Sequence, residues 1–232
     1  MSRRDNRERC PTCRMHATLC ICALVPRLVT RTRLALLVHH REARKPTNTG
    51  QLAARCLARS SVAIIGERER DPAADGPPAA VPVIGPGEQP VLLFPGDDAV
   101  PIARFVAGPP VVLIVPDGTW RQASKLRRHV AGLAGLACVS LPDAGATEFR
   151  LRAEHRVGGL ATLEAIARAF GILEAGAGPA VEAAMTAVFR VMVERTLWLR
   201  GALRDDQVTG GIPPAAIAHD PRGGRAVAKP GP

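Results

Sequence analysis

The chain has 232 residues, 47% of them hydrophobic, which is enough to bury the core of one α/β domain with a small appendage and excludes a wholly disordered polypeptide. A net charge of +10 at pH 7 favours a polyanionic partner, nucleic acid before an acidic membrane surface. Aromatic residues make up only 3% and tyrosine is absent, which excludes RNA-binding modules built on rows of stacked rings.

Met1 to Arg9 is charged and leads into cysteines rather than into an apolar run, and no stretch of about 18 uncharged apolar residues follows anywhere, so neither a signal peptide nor a transmembrane helix is expected and the location is read as cytoplasmic. Cysteines stay reduced in that compartment. Cys10, Cys13, Cys20 and Cys22 form a Cys-x2-Cys-x6-Cys-x-Cys pattern. Four thiolates make a closed tetrahedral site, so the pattern points first to structural zinc, with an iron–sulfur cluster or a metal-free cluster as alternatives. Cys56 and Cys138 stand apart and read as core residues.

Leu34 to His39 is the first predicted strand, followed by a polar loop and a short helix from Gln51 to Arg59, capped near Asn48 or Thr49. Val62 to Ile65 is a second apolar run. Residues 71–90, rich in Pro, Gly and acidic groups, read as a linker. Val91 to Phe94 is a strand ending in Pro95-Gly96, and Val111 to Val115 is the clearest strand of all, uncharged and β-branched. A helix is predicted over Thr119 to Val130, a short strand over Leu136 to Leu141, a helix over Thr162 to Phe170 with Thr162 as its N-cap, and a longer helix over Ala180 to Leu199. From about residue 206 the Pro, Gly and charge content predicts a disordered tail. The organisation expected is a four-cysteine zinc-binding segment over 1–30, an α/β domain over 31–203 and a basic tail over 204–232.

Strands alternating with helices predict a largely parallel sheet, in which ligands sit beyond the carboxyl ends of the strands. Interest therefore falls on Phe94-Pro95-Gly96, on Asp117 and on Leu141. Asp117-Gly118-Thr119-Trp120 closes the best strand and opens a helix. Gly118 permits close backbone approach, Thr119 can cap the helix, and Asp117 can act as a base or hold a polar ligand. Trp120 either walls a pocket or packs in the core.

Asp117-x-Thr119-Trp120 resembles the Asp-Thr-Trp motif of the DTW-domain proteins. The resemblance extends to the cysteine cluster, to His39, Glu42, Asn48, Thr49 and Gly50, to Leu92-Leu93-Phe94-Pro95-Gly96, to Gln122, Ala123 and Lys125, and to Leu160-Ala161-Thr162-Leu163-Glu164-Ala165, in order from about residue 10 to 175. Ala161 departs from the family's serine, and His40 stands where proline often follows the histidine.

The resemblance implies a SPOUT-like fold with a knotted cofactor site and a tRNA-uridine aminocarboxypropyltransferase, with S-adenosylmethionine as donor and a variable-loop uridine (acp3U47 type) as acceptor. Asp117, Thr119 and Trp120 become the catalytic candidates, Phe94, Pro95, Gly96, Gly118, Leu141, Thr162 and Glu164 the cofactor-binding ones. Arg41, Arg44, Lys45, Arg121, Lys125, Arg127, Arg128, Arg150, Arg152 and Arg156 form the expected tRNA surface, through phosphate contacts. The rival readings are a SPOUT-type RNA methyltransferase and a non-catalytic zinc-containing RNA-binding protein.

Overall fold

A computed structural model describes residues 9–66, 83–142, 147–151 and 159–218. The apolar runs become six strands: β1 (Arg33–His39), β2 (Ser60–Ile65), β3 (Gln89–Leu93), β4 (Val100–Pro101), β5 (Val111–Asp117) and β6 (Cys138–Ser140). They form one sheet in the order β2-β1-β5-β3-β6-β4, every ladder parallel. The parallel α/β architecture expected from the sequence is present. The connection from β6 to the next helix, on which a knot would depend, runs through 143–146 and 152–158, outside the described residues.

The sheet separates two apolar layers because side chains alternate along each strand. Leu34, Leu36 and Val38 of β1, with Val111, Leu113 and Val115 of β5, enter the larger core. It is covered by α2 (Thr49–Cys56), α4 (Thr162–Leu173) and α5 (Gly178–Leu199). Ala35 and Leu37, with Val112 and Ile114, face the other side. There α3 (Trp120–His129) closes the layer with Ala123 and Leu126. Both faces of β5 are therefore buried along its whole length, which is why it reads as an unbroken apolar run. β5 enters the sheet between β1 and β3, so its carboxyl end lies where the strand order reverses, the usual place for a ligand crevice.

The cysteine segment is packed onto this body. Met15, Leu19 and Ile21 belong to the larger core. Arg195 of α5, itself buried, donates from Nη1 to the Cys20 carbonyl at 2.9 Å. A short parallel bridge joins Leu28 to Leu57, with the Leu28 N–H on the Cys56 carbonyl at 2.8 Å.

The expected tail is folded as far as Ala218. A 3-10 turn (Asp205–Gln207) and α6 (Pro214–Ala218) follow α5. Val208, Ile212 and Ala216 are buried in the larger core, the Trp198 indole N–H donates to Asp205 Oδ1 at 2.7 Å, and the Thr209 N–H to Glu194 at 2.6 Å. Residues 219–232 lie outside the described residues. Truncation after Leu203 should cost about 3 kcal/mol or more and lower the melting temperature by roughly 6–12 °C, because two branched side chains lose their burial. Calorimetry of the truncated and full chains checks this; equal melting temperatures would mean that 204–218 adds nothing to the fold.

Candidate active site and cysteine centre

Asp117 is the last residue of β5 and is 5% exposed. Strand alternation turns it to the face covered by α2 and α4, and both helices begin beside it. Asn48, the N-cap of α2, donates from Nδ2 to Asp117 Oδ2 at 2.6 Å. The Thr162 hydroxyl, on the first residue of α4, donates to Oδ1 at 2.5 Å. Each carboxylate oxygen thus accepts from a side chain at the start of a different helix. The positive ends of two helix dipoles also favour negative charge at this point.

Asn48 serves two partners. Its Oδ1 accepts from the Gln51 N–H at 2.8 Å, capping α2, while its Nδ2 reaches Asp117. Aspartate would cap equally well but would set two carboxylates against each other. Gly50 follows from the same crowding: a Cβ there would lie 3.0 Å from both Asp117 Cγ and Oδ2 and 3.2 Å from Leu36 Cδ1. The sequence offers Asn48 or Thr49 as the cap of this helix, and Asn48 is the cap; the function of Asn48, Thr49 and Gly50 as a cradle for Asp117 emerges only in three dimensions.

The N-cap of α4 is Ala161, not Thr162 as its sequence suggested. Alanine has no side-chain acceptor, and the second N–H of the helix, that of Leu163, points instead to the Thr49 hydroxyl at 3.4 Å. A residue of α2 thereby takes over part of the capping that a serine at 161 would provide, and frees Thr162 to reach Asp117. Glu164 turns back on its own chain: its carboxylate accepts from the Ala161 N–H at 2.8 Å, the Glu148 N–H at 2.7 Å and the Thr147 hydroxyl at 2.5 Å. It clasps the 147–148 loop to the start of α4.

Gly118 and Thr119 lead from β5 into α3. The Thr119 hydroxyl accepts from Gln122 N–H, and Gln122 Oε1 accepts from the Thr119 N–H at 2.7 Å, a reciprocal capping box. Trp120 is 41% exposed, so it is a surface ring rather than a core residue, set edge-on to Phe94 with centroids 6.1 Å apart. Phe94 is buried at the end of β3, and Pro95 and Gly96 are exposed beside it. Leu141 is half-buried past β6, two strands away from β5.

His39 ends β1 next to Gly118, with Nδ1 accepting from the Arg41 N–H at 3.2 Å. Burial, then the neighbouring His40 and Arg41, holds its pKa below the ordinary histidine value. A neutral ring bonded in this way carries its proton on Nε2, a donor at the rim of the site.

The expected tRNA cations divide. Arg41 and Arg44 on α1 (His40–Ala43) and its end, and Arg121, Lys125 and Arg128 on α3, are exposed at the carboxyl edge of β1 and β5. Lys45 pairs with Glu42 at 2.5 Å, and Arg127 pairs with Asp98 at 2.6 Å while stacking over Phe94. Arg150 is exposed near the Glu148–Arg190 ion pair. Arg152 and Arg156 lie outside the described residues.

The four cysteine sulfurs all lie within 4.8 Å of one another. Three pairs are Cys10–Cys22 and Cys13–Cys20 at 3.7 Å and Cys10–Cys20 at 3.5 Å. Tetrahedral thiolate coordination at ~2.3 Å places sulfurs ~3.8 Å apart, so the cluster fits a tetrahedral metal ion with little movement. The Cys13 N–H draws the Cys10 thiol down to about 6, whereas burial raises Cys13 and pushes Cys20 up to about 12.

Cys13 and Cys20 are therefore protonated near neutrality without metal, and metal binding must expel both protons. Titration calorimetry in buffers of different ionisation enthalpy should show at least two protons released per ion, and affinity falling as pH falls; no proton release would contradict this. Gly50→Ala supplies a separate test of the site. Alanine normally stabilises a helix interior by about 1 kcal/mol over glycine. Crowding against the doubly bonded Asp117 should reverse the sign, to a net loss of about 1–3 kcal/mol in denaturant titration.

Comparison with known proteins places this geometry in a family. The DTW domain model matches residues 7–197, which include the cysteine cluster, Asn48-Thr49-Gly50 and Asp117-Gly118-Thr119-Trp120. The chain is similar to tRNA-uridine aminocarboxypropyltransferase 2 of Macaca fascicularis, 28% identical over 177 residues that cover 72% of this chain and 57% of that protein. It is similar to tRNA-uridine aminocarboxypropyltransferase 2 of Drosophila melanogaster, 26% identical over 180 residues that cover 73% and 68%. It thus spans little more than half the length of the first of these relatives and about two thirds of the second. No solved structure gives a significant match. The family-model match over most of the chain shows that it belongs to the DTW domain family.

Proposed function

We propose that this protein transfers the 3-amino-3-carboxypropyl group of S-adenosylmethionine to N3 of a tRNA uridine, a variable-loop uridine of the acp3U47 type, and releases 5′-methylthioadenosine. The observation that carries the reading is the Asp117 carboxylate, buried, oriented from two sides and set at the strand reversal beside an exposed tryptophan. The names of the relatives give the reaction class, and the +10 charge suits a tRNA substrate.

The donor's sulfonium supplies an electrophilic carbon and a neutral thioether leaving group. In the transfer the bond from sulfur to the γ-carbon breaks, a bond from uridine N3 to that carbon forms, and the N3 proton leaves. Asp117 accepts that proton, and the Asn48 and Thr162 donors fix the direction from which it does so. Trp120 stacks on the target base. The end of β3 at Phe94-Pro95-Gly96, with Gly118, Leu141 and Thr162, borders the donor site, and Glu164 shapes it through the 147–148 loop. Which carbon reacts is decided by position, since the nucleophile must lie in line about 3–3.5 Å from it. Arg41, Arg44, Arg121, Lys125 and Arg128 hold tRNA phosphates along the same edge. Zinc occupies the cysteine centre as a structural ion, in keeping with four thiolates at tetrahedral spacing.

Nucleoside mass spectrometry of tRNA incubated with the protein and S-adenosylmethionine should reveal aminocarboxypropyl-uridine, with methylthioadenosine as by-product. Asp117→Asn should lower the rate by a factor of about 10²–10⁴, the usual contribution of a positioned acid or base. A methylated nucleoside would replace this reading with an RNA methyltransferase, and tRNA binding without product would replace it with a binding protein.

A further inference from the structure

The side of α2 opposite its active-site end is held by the cysteine segment, and the contacts are not spread evenly. Arg14, the residue after Cys13, sends its Nη1 to the carbonyl of Ala43, the last residue of α1. Gln51 Nε2 reaches the same carbonyl at 2.9 Å. That carbonyl closes α1, just before the short loop that ends at Asn48. At the other end of α2, Arg55 Nη2 donates to Cys22 Sγ at 3.3 Å. The cysteine segment thus holds the end of α1, where the entry loop begins, and the far end of α2, and a crevice of about 40 Å³ between them is lined by Arg14, Lys45, Asn48, Gln51 and Arg55.

Arg14 is held in an unfavourable conformation to do so. Its φ is +59°, one of only two non-glycine residues in the left-handed region among the described residues. A side chain there costs on the order of 1 kcal/mol, and glycine would remove that cost. The turn is fixed by the Arg14 N–H on the Cys10 carbonyl and the Cys10 N–H on the Met15 carbonyl, both at 2.8 Å. The direction of the Arg14 side chain is therefore set by the geometry of the cysteine knuckle.

We infer that the cysteine centre is a positioning device for the active site, with Arg14 and Arg55 as the positioning residues that carry its order to Asn48 and hence to Asp117. The inference rests on the proposed function for its effect on rate, but not for the coupling itself. A tetrathiolate site holds the knuckle turn; the turn aims Arg14; Arg14 holds the Ala43 carbonyl; and the loop so held presents the Asn48 amide to Asp117 Oδ2. Arg55 ties the far end of the same helix to a ligand sulfur, where an N–H donor also offsets thiolate charge.

The test uses the metal-loaded full chain with Arg14→Gly, Arg55→Gln and Arg55→Lys. Bound metal, melting temperature, hydrogen exchange of peptides covering 40–51, and kcat and KM for tRNA are measured on each. Were Arg14 only a structural residue, glycine at a left-handed position would leave the loop unchanged and the fold equal or more stable. The inference expects Arg14→Gly to retain its metal while exchange in 40–51 rises at least tenfold, and kcat to fall roughly 10- to 100-fold with KM little changed, the range seen when groups supporting a metal ligand are removed. Arg55→Gln should move the same readouts, and Arg55→Lys should restore most of the loss. Unchanged exchange in 40–51 in both Arg14→Gly and Arg55→Gln, with metal bound, would overturn the inference whatever happens to kcat. Faster exchange in a protein with no transfer activity would uphold the coupling and reject the proposed function instead.

Discussion

Two helices begin at one carboxylate. Asn48 and Thr162 stand at the N-termini of α2 and α4, and each donates to a different oxygen of Asp117. Thr49 and Leu163, one residue further on, join the two helix ends directly. Because Asp117 terminates the central strand, this single group fixes how both helices sit on the sheet. It also defines the floor of the crevice where the strand order reverses. Removing either donor would leave a buried oxygen short of a partner, which costs more than the hydrogen bond itself contributes. The Asp-x-Thr-Trp motif and the Asn-Thr-Gly segment, 69 residues apart at the Asn48–Asp117 contact, are therefore one structural unit.

The cysteine centre belongs to the same unit. Its apolar residues are continuous with the larger core, and its arginine contacts join it to the end of α1 and to the far end of α2. Arg195, buried on α5, donates to the Cys20 carbonyl. Two guanidinium groups thus touch the cysteine segment, Arg55 at the Cys22 sulfur and Arg195 at the Cys20 carbonyl. A divalent ion held by four thiolates would carry net negative charge, which these cations would offset. The folded segment from Asp205 to Ala218 completes the cover over α5.

Much of this was legible in the sequence, where burial leaves a periodic or continuous apolar signal. β1 and β5 are covered on both faces, so their residues form unbroken runs that no local competitor obscures. The Thr119 cap follows from local chemistry alone. What escaped was set by distant partners. Thr162 looks like an N-cap because threonine usually is one, but its hydroxyl finds Asp117 and the cap falls to Ala161. Nothing local to Ala161 announces that Thr49 stands in for the missing acceptor. α1 has four residues and β4 two, too short for any periodicity to register. The folded part of the tail, as far as Ala218, escaped because Pro and Gly outweighed a weaker signal, the spacing of Val208, Ile212 and Ala216 at four-residue intervals, all facing the core.

The account turns on which carbon of the donor the site presents to the nucleophile. Incubation of tRNA with S-adenosylmethionine labelled in the methyl group, and separately in the carboxyl carbon, reads this directly as label retained in purified tRNA. The account predicts that the carboxyl label enters the tRNA while the methyl label leaves with methylthioadenosine. Methyl label in the tRNA, with the carboxyl label left in a small-molecule product, would contradict it.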